Sequence, residues 1–280
     1  MIIARNNIQL FSALKYYHQT QKSIGFVPTM GALHQGHISL IEQSKYNCDI
    51  TVCSIFVNPT QFNDSKDLEK YPRTEEADIA LLLKSNCDIL FLPDVVDIYP
   101  EDWQCPIFDF GDLDKVMEGL HRVGHFKGMS QVVHRLLFLV NPTKLFMGQK
   151  DFQQLTIVQR MLEILNVTNV ELVSCPIVRE MDGLAMSSRN VRLNGSQRAS
   201  ARAISKVLMQ LNKTVFESAK DYCKWATYQL NLQEFVSTEY VEIVDTKTLQ
   251  PITDWHLHTP LVCCIAAKVG DVRLIDNRLF

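Results

Sequence analysis

His34 and His37 stand three residues apart in Pro28-Thr29-Met30-Gly31-Ala32-Leu33-His34-Gln35-Gly36-His37. This stretch joins the apolar run Ile24-Gly25-Phe26-Val27 to an amphipathic run that begins near Gly36 and carries Ile38, Leu40 and Ile41. Two imidazoles and two glycines at a strand-to-helix junction suit an anion. The first turn of a helix leaves N–H groups without intrahelical partners and bears the positive end of the helix dipole, and imidazole N–H groups add donors on the same side. Gly31 and Gly36 have the Gly-x4-Gly spacing of a P-loop, but His37-Ile38 occupies the place of the required Lys and Ser or Thr. The junction is therefore expected to work at an inner phosphate. No nearby cysteine or carboxylate completes a metal-ligand set, so no protein metal ligand is assigned.

The elements that must hold this junction form an alternation. From the start to about residue 175, strand-like runs at 24–27, 50–57, 88–92, 144–147 and 170–175 are separated by amphipathic stretches, which predicts an α/β fold: a parallel sheet with helices on both faces. Ligands of such sheets collect at the carboxyl ends of the strands. The polar signatures fall there: 28–37, then Asn58-Pro59-Thr60-Gln61-Phe62, then Gly148-Gln149-Lys150-Asp151. Thr74 is expected to cap a helix running to Lys84, Asn141-Pro142 to stop a helix over 130–140, and Asp151 to open a helix to about Leu165. After Cys175-Pro176 the texture changes. A hairpin turn at Met181-Asp182-Gly183, helices over 196–213 and 215–230 and strands at 240–244, 261–269 and 272–276 predict a smaller α+β domain. The expected division is 1–176 and 177–280.

The chain has 280 residues, 46% of them apolar, and a net charge of −3, with a pI near 6.2. A packed core is expected, and no basic run interleaved with aromatics invites nucleic acid. The longest apolar run, 261–267, is far too short to span a bilayer, and no basic segment followed by a long apolar one opens the chain. The reading is a cytoplasmic protein with no membrane partner. Eight cysteines, scattered and without a C-x2-C pair, read as reduced core residues.

Seven segments in order carry a family resemblance: 28–37; Phe56-Val57-Asn58-Pro59 with Gln61-Phe62; Tyr71-Pro72-Arg73-Thr74; Gly124-His125-Phe126; Gly148 with Lys150-Asp151 and Gln153-Gln154; Val178-Arg179-Glu180; and Asp182-Gly183-Leu184-Ala185-Met186-Ser187-Ser188-Arg189-Asn190. Together they make nearly the whole chain resemble the pantothenate synthetase family, part of a wider group of nucleotidyl-transferring enzymes with a Rossmann-like domain. The resemblance implies ATP-dependent condensation of pantoate with β-alanine through a pantoyl-adenylate, in a homodimer. It departs at Val123, where the family has Pro, and at Gln149, where it has Glu.

On that reading the catalytic residues are His37, His34, Lys150 and Arg189. ATP would be held by Met30, Gly31, Ala32, Leu33, His34, Gln35, Gly36 and His37, by Gly148, Gln149, Lys150 and Asp151, and by Val178, Met186, Ser187, Ser188 and Arg189. Gln61 and Gln154 offer both a donor and an acceptor and are assigned to pantoate and β-alanine. Mg²⁺ is expected to travel with the triphosphate. The segment 181–190 is expected to act as a hinged lid. Two apolar elements, an edge strand at 50–57 and the helix over 130–140, have enough apolar surface for a dimer interface, and a buried core accounts for the same residues. A nucleotidylyltransferase that releases its nucleotidylated product, an inactive nucleotide-binding relative and an aminoacyl-tRNA synthetase fragment are the rival readings, the last opposed by the short chain and the lack of a basic anticodon-reading region.

Overall fold

The computed structural model describes residues 1–62, 65–255 and 260–280, with Ser65 and Lys66 described by backbone alone. In chain order its elements are β1 (Ile2–Ala4), α1 (Asn7–Gln19), β2 (Ile24–Thr29), α2 (Gln35–Asn47), β3 (Ile50–Ile55), α3 (Ser65–Glu69), α4 (Glu75–Lys84), β4 (Ile89–Phe91), α5 (Val95–Ile98), α6 (Glu118–His121), α7 (His125–Val140), β5 (Lys144–Gly148), α8 (Phe152–Ile164), β6 (Glu171–Cys175), α9 (Gly195–Met209), α10 (Ala219–Asn231), β7 (Val236–Asp245), β8 (Leu261–Val269) and β9 (Val272–Leu279). They form two compact units. The first is Met1–Gly111, Arg122–Gly148 and Ile157–Pro176, and the second is Asp112–His121, Gln149–Thr156 and Ile177–Phe280.

The first unit is built on a six-stranded sheet in the order β1-β4-β3-β2-β5-β6, parallel throughout. Its inner strands are continuous apolar runs, as strands covered on both faces must be: Ile24, Phe26, Val27, Val52, Cys53, Leu145 and Phe146 are at most 1% exposed. The chain moves outward from β2 through β3 to β4, then crosses back past β2 to β5 and β6. Right-handed crossovers in opposite directions put α2 and α4 on one face and α1, α7 and α8 on the other. β2 pairs with β5 only through Gly25 and Phe26, while its ladder to β3 continues to Thr29. Between β2 and β5 the sheet therefore opens toward the carboxyl ends, where the strand order reverses and ligands of such sheets bind. Pro28, which has no N–H to contribute, lies in the opened part.

The second unit has a three-stranded antiparallel sheet, β7-β8-β9, covered by α9 and α10. Tyr222 and Leu230 of α10 and Ile204 and Leu208 of α9 pack with Ile243, Cys263 and Ile265. The segment 112–121 belongs here: Met117 packs with Val244, Leu249 and Val262. Glu118 accepts from both terminal nitrogens of Arg273, at 2.6 and 2.7 Å, and from the Tyr240 hydroxyl at 2.7 Å.

The α/β class and the small C-terminal α+β sheet are as expected. Three expectations change. The run 50–57 is not an edge strand: β3 lies between β2 and β4, and the true edge on that side is β1, a three-residue strand. The helix expected over 130–140 begins at His125. Thr74 holds the N-cap position of α4 without a side-chain cap bond, because its hydroxyl donates to Asp78 instead. No described helix is long and apolar enough to cross a membrane. All eight cysteines are free thiols.

Candidate active site

The junction after β2 is a tight loop held from below by one carboxylate. Gly31 and Ala32 both take left-handed backbone, with φ of +80° and +49°. A Cβ on Gly31 would lie 3.0 Å from Ile55 and 3.1 Å from Asp78, so glycine meets both the angle and the space. The N–H groups of Ala32 and Leu33 point down to Asp78 Oδ2 and Oδ1, at 2.9 and 2.8 Å. Asp78, on the first turns of α4, is 1% exposed.

The two imidazoles cap α2 reciprocally. His34, at the N-cap, accepts the Gly36 N–H at Nδ1 (3.2 Å), while His37 Nδ1 accepts the N–H of His34 (3.3 Å). Their ring centroids are 4.1 Å apart. A nitrogen that accepts carries no proton, so each neutral ring bears its hydrogen on Nε2. Gly36 gives its N–H to His34, and His37 gives its own to the His34 carbonyl at 2.8 Å. The Gly36 and His37 N–H groups are thus both engaged within the cap.

Gln61 is set by a second construction in the same unit. Asn58, 1% exposed, donates to Gln61 Oε1 at 3.2 Å and to the Gly128 carbonyl at 3.1 Å. Its own oxygen accepts from Thr60 and from the Tyr99 hydroxyl. Helix α7 comes so close that a Cβ on Gly128 would sit 2.1 Å from the Thr60 oxygen. His125 Nδ1 lies 2.9 Å from the Gln61 carbonyl, and Arg122 Nη1 lies 3.2 Å from His125 Nε2. A carbonyl only accepts and a guanidinium only donates, so this ring carries its proton on Nδ1. Gln61 Nε2 then meets Met30 Sδ at 2.8 Å, which joins two residues singled out from the sequence.

In the second unit, Gln149, Lys150 and Asp151 form a 3₁₀ turn ahead of α8. Lys150 Nζ is 3.3 Å from Asp151. A lysine is unfavourable at the positive end of a helix, and that carboxylate offsets part of the repulsion. Gln153 is nearly buried and structural, donating to the carbonyls of Leu113 and Val116 and accepting the Glu118 N–H. Its neighbour Gln154 is half-buried.

The hairpin is present: Arg179 bridges Ala185 in antiparallel fashion, Gly183 has φ +89°, and Met186 N–H donates to the Val178 carbonyl at 3.0 Å. Val178 and Met186 are thereby brought side by side. Ser187 caps the 3₁₀ turn Ser188–Arg192 by accepting the Arg189 N–H. The segment is no loose flap. Arg198 pairs with both Glu180 and Asp182, Asn190 donates to Glu180, and Arg179 makes a two-pronged contact with Asp276 at 2.6 and 3.0 Å. Burial pushes the Asp276 carboxyl above its usual range, against the pull of Arg179 and the Asn277 N–H. A hinge at 182–183 acting alone would have to break these ties.

Asp78, Asn58, His125, Asp276 and Asn277 were not assigned roles from the sequence. Asn58 and His125 lie inside quoted motifs. Asp78 reads as one more acid at a helix start, and 276–277 as the end of a strand.

A family model described as pantoate-beta-alanine ligase matches residues 3–279. The pantothenate synthetase of Porphyromonas gingivalis ATCC 33277 is 49% identical over 259 residues, 92% of this chain and 91% of that protein. That of Azobacteroides pseudotrichonymphae is 47% identical over 279 residues, 99% of each. The crystal structure of pantothenate synthetase from Thermus thermophilus matches with a TM-score of 0.91 at 37% identity, over 99% of both chains. The pantoate-beta-alanine ligase of Francisella tularensis, complexed with beta-gamma ATP and beta-alanine, matches with a TM-score of 0.83 at 35% identity, over 100% of this chain and 97% of the other.

Proposed function

The chain belongs to the pantoate-beta-alanine ligase family, and on that premise we propose that it condenses pantoate with β-alanine, through an enzyme-bound pantoyl-adenylate, in two steps. A carboxylate is a poor electrophile until its oxygen becomes a leaving group. In the first step a pantoate carboxylate oxygen attacks the α-phosphorus of ATP in line, and pyrophosphate departs with the broken P–O bond. In the second, the β-alanine amine attacks the acyl carbon, sheds a proton and expels AMP.

The observation that carries this assignment is the reciprocal cap of His34 and His37. With Nδ1 of each ring accepting from the backbone, the proton of each neutral ring lies on Nε2, the atom to which we assign donation to phosphoryl oxygens as their charge grows. Lys150, Ser187, Ser188 and Arg189 supply further donors to the phosphates. Main-chain and apolar groups of residues 30–37, 148–151, Val178 and Met186 hold the nucleotide. Gln61 and Gln154 take the hydroxyls and carboxylate of pantoate and the second substrate. Mg²⁺ enters as the magnesium complex of ATP. Such an ion keeps phosphate oxygens and water among its ligands.

We place the enzyme in the cytoplasm and assign it as a homodimer. In support, α1 and α5 both pack on α7, and these helices leave Ile8, Phe11, Val96 and Phe138 exposed. Light scattering that returns a monomer mass overturns the dimer. The function is tested by supplying ATP, Mg²⁺ and pantoate without amine: a pantoyl-AMP mass should appear, and AMP should be released only when β-alanine is added. Absence of both the adenylate and pantoate-dependent pyrophosphate exchange would refute it.

A further inference from the structure

Asp276 and Asn277 lie on β9 of the second unit, 3% and 2% exposed, and they are the meeting point of two segments that the proposed function gives to ATP. Asn277 Nδ2 donates to the main-chain carbonyls of Gln149 and Lys150, both at 2.9 Å. Its Oδ1 accepts from Gln149 Nε2 at 3.1 Å. Two carbonyls can only accept, so the amide orientation is fixed, and every hydrogen-bonding site facing the turn is used. The adjacent Asp276 accepts the Asn277 N–H at 2.8 Å and grips Arg179 with both oxygens. Arg179 in turn donates to the Gly183 carbonyl at 3.1 Å. One unbroken chain of hydrogen bonds thus runs from the Lys150 main chain to the hairpin that precedes Ser187-Ser188-Arg189.

We propose that Asn277 is a positioning residue for Lys150, and that Asp276 extends the same tie to the hairpin. The inference rests on the reading that Lys150 acts on the phosphates of ATP. The turn 149–151 lies between β5 and α8, and Asn277 ties its Gln149 and Lys150 carbonyls to β9. Gln149 donates an amide hydrogen to Asn277, a bond that a carboxylate could not make. Holding a donor in reacting geometry governs rate steeply: a displacement of about 1 Å can cost about 100-fold. Asn277 is placed to prevent that displacement without touching substrate.

The test is a double-mutant cycle on pantoate-dependent pyrophosphate exchange with Asn277→Ala, Lys150→Ala and the pair. Asn277→Ala is expected to slow exchange about 10- to 100-fold, yet to add less than about 3-fold once Lys150 is gone, because the two act as one unit. A residue that merely stabilised the fold would cost the same factor in both backgrounds. An Asn277→Ala enzyme within about 2-fold of the parent, or fully additive losses, overturns the inference. Lys150→Ala at the parental rate would instead remove the reading of Lys150 on which it stands. If Asn277→Ala loses its folded state by thermal melting, Gln149→Met carries the same cycle. It deletes only the amide that reaches Asn277 Oδ1, and a loss that persists undiminished without Lys150 counts against the inference.

Discussion

Replacing Asp78 with asparagine removes half of the support beneath the histidine loop while keeping its shape. The carboxylate receives three bonds: Ala32 N–H at 2.9 Å, Leu33 N–H at 2.8 Å and the Thr74 hydroxyl at 3.1 Å. An amide keeps one acceptor oxygen and turns two N–H donors toward the other backbone N–H. One charge-assisted bond is lost, worth about 1.5–3 kcal/mol, and a buried donor is left opposed, costing about 1–3 kcal/mol. Because these contributions overlap, the expected loss of stability is about 2–4 kcal/mol. Ala32 adds to the effect, since its left-handed backbone costs about 1 kcal/mol that the carboxylate helps to offset. The melting temperature should fall by roughly 5–15 °C. Because His34 follows Ala32 by two residues, pyrophosphate exchange should also fall about 10- to 100-fold. Thr74→Val, which deletes only the hydroxyl, should cost about 1 kcal/mol or less. Calorimetry and exchange assays on the two variants decide the matter. An Asp78→Asn protein that melts and turns over like the parent would show that the loop holds its shape without the carboxylate.

Three further outcomes are expected. His37→Gln retains an acceptor for the His34 N–H, as glutamine does in a capping box, so melting should hardly move while exchange falls about 10²–10³-fold with the lost Nε2–H; comparable rates would remove the imidazole from the chemistry. Gly128→Ala forces a Cβ to 2.1 Å from the Thr60 oxygen, which should destabilise by about 3 kcal/mol and raise KM for pantoate more than for ATP, since Gln61 moves with that loop; equal rises would argue against the link. Asp182 is raised by burial but lowered further by Arg198, by the Leu184 N–H and by the charge of Arg202, and ends below its usual 3.8. Its stabilisation is therefore complete above that value and disappears as pH falls through the lower folded-state value. The melting gap between parent and Asp182→Asn should be steady between about pH 5 and 7 and close in stronger acid; a gap that persists would refute the assignment.

Much of the sheet was legible because parallel inner strands are apolar on both sides, so 24–27 and 144–147 stood out as uninterrupted runs. Such runs do not say which strand lies beside which, and 50–57 was therefore misjudged as an edge. The opening element escaped notice for the opposite reason. β1 is three residues long, and α1 buries only Leu10 and Leu14 while exposing Ile8 and Phe11, which blurs its period. The imidazole spacing was readable as a helix start, but the use of their Nδ1 atoms on the backbone was not, since ring orientation leaves no trace in spacing. Asp78 and Asn277 act on loops 45 and 127 residues away along the chain. A local pattern cannot report contacts of that kind.

A gene shortened to begin at residue 177 would not yield the second unit. Arg273 would keep Glu239 but lose Glu118, the Tyr240 hydroxyl would lose its acceptor, and the space of Met117 beside Val262 would stand vacant. The excised piece should be prone to aggregation. This part of the protein is contiguous in space but not in sequence, so it can be neither harvested as a fragment nor exchanged between relatives as a single cassette.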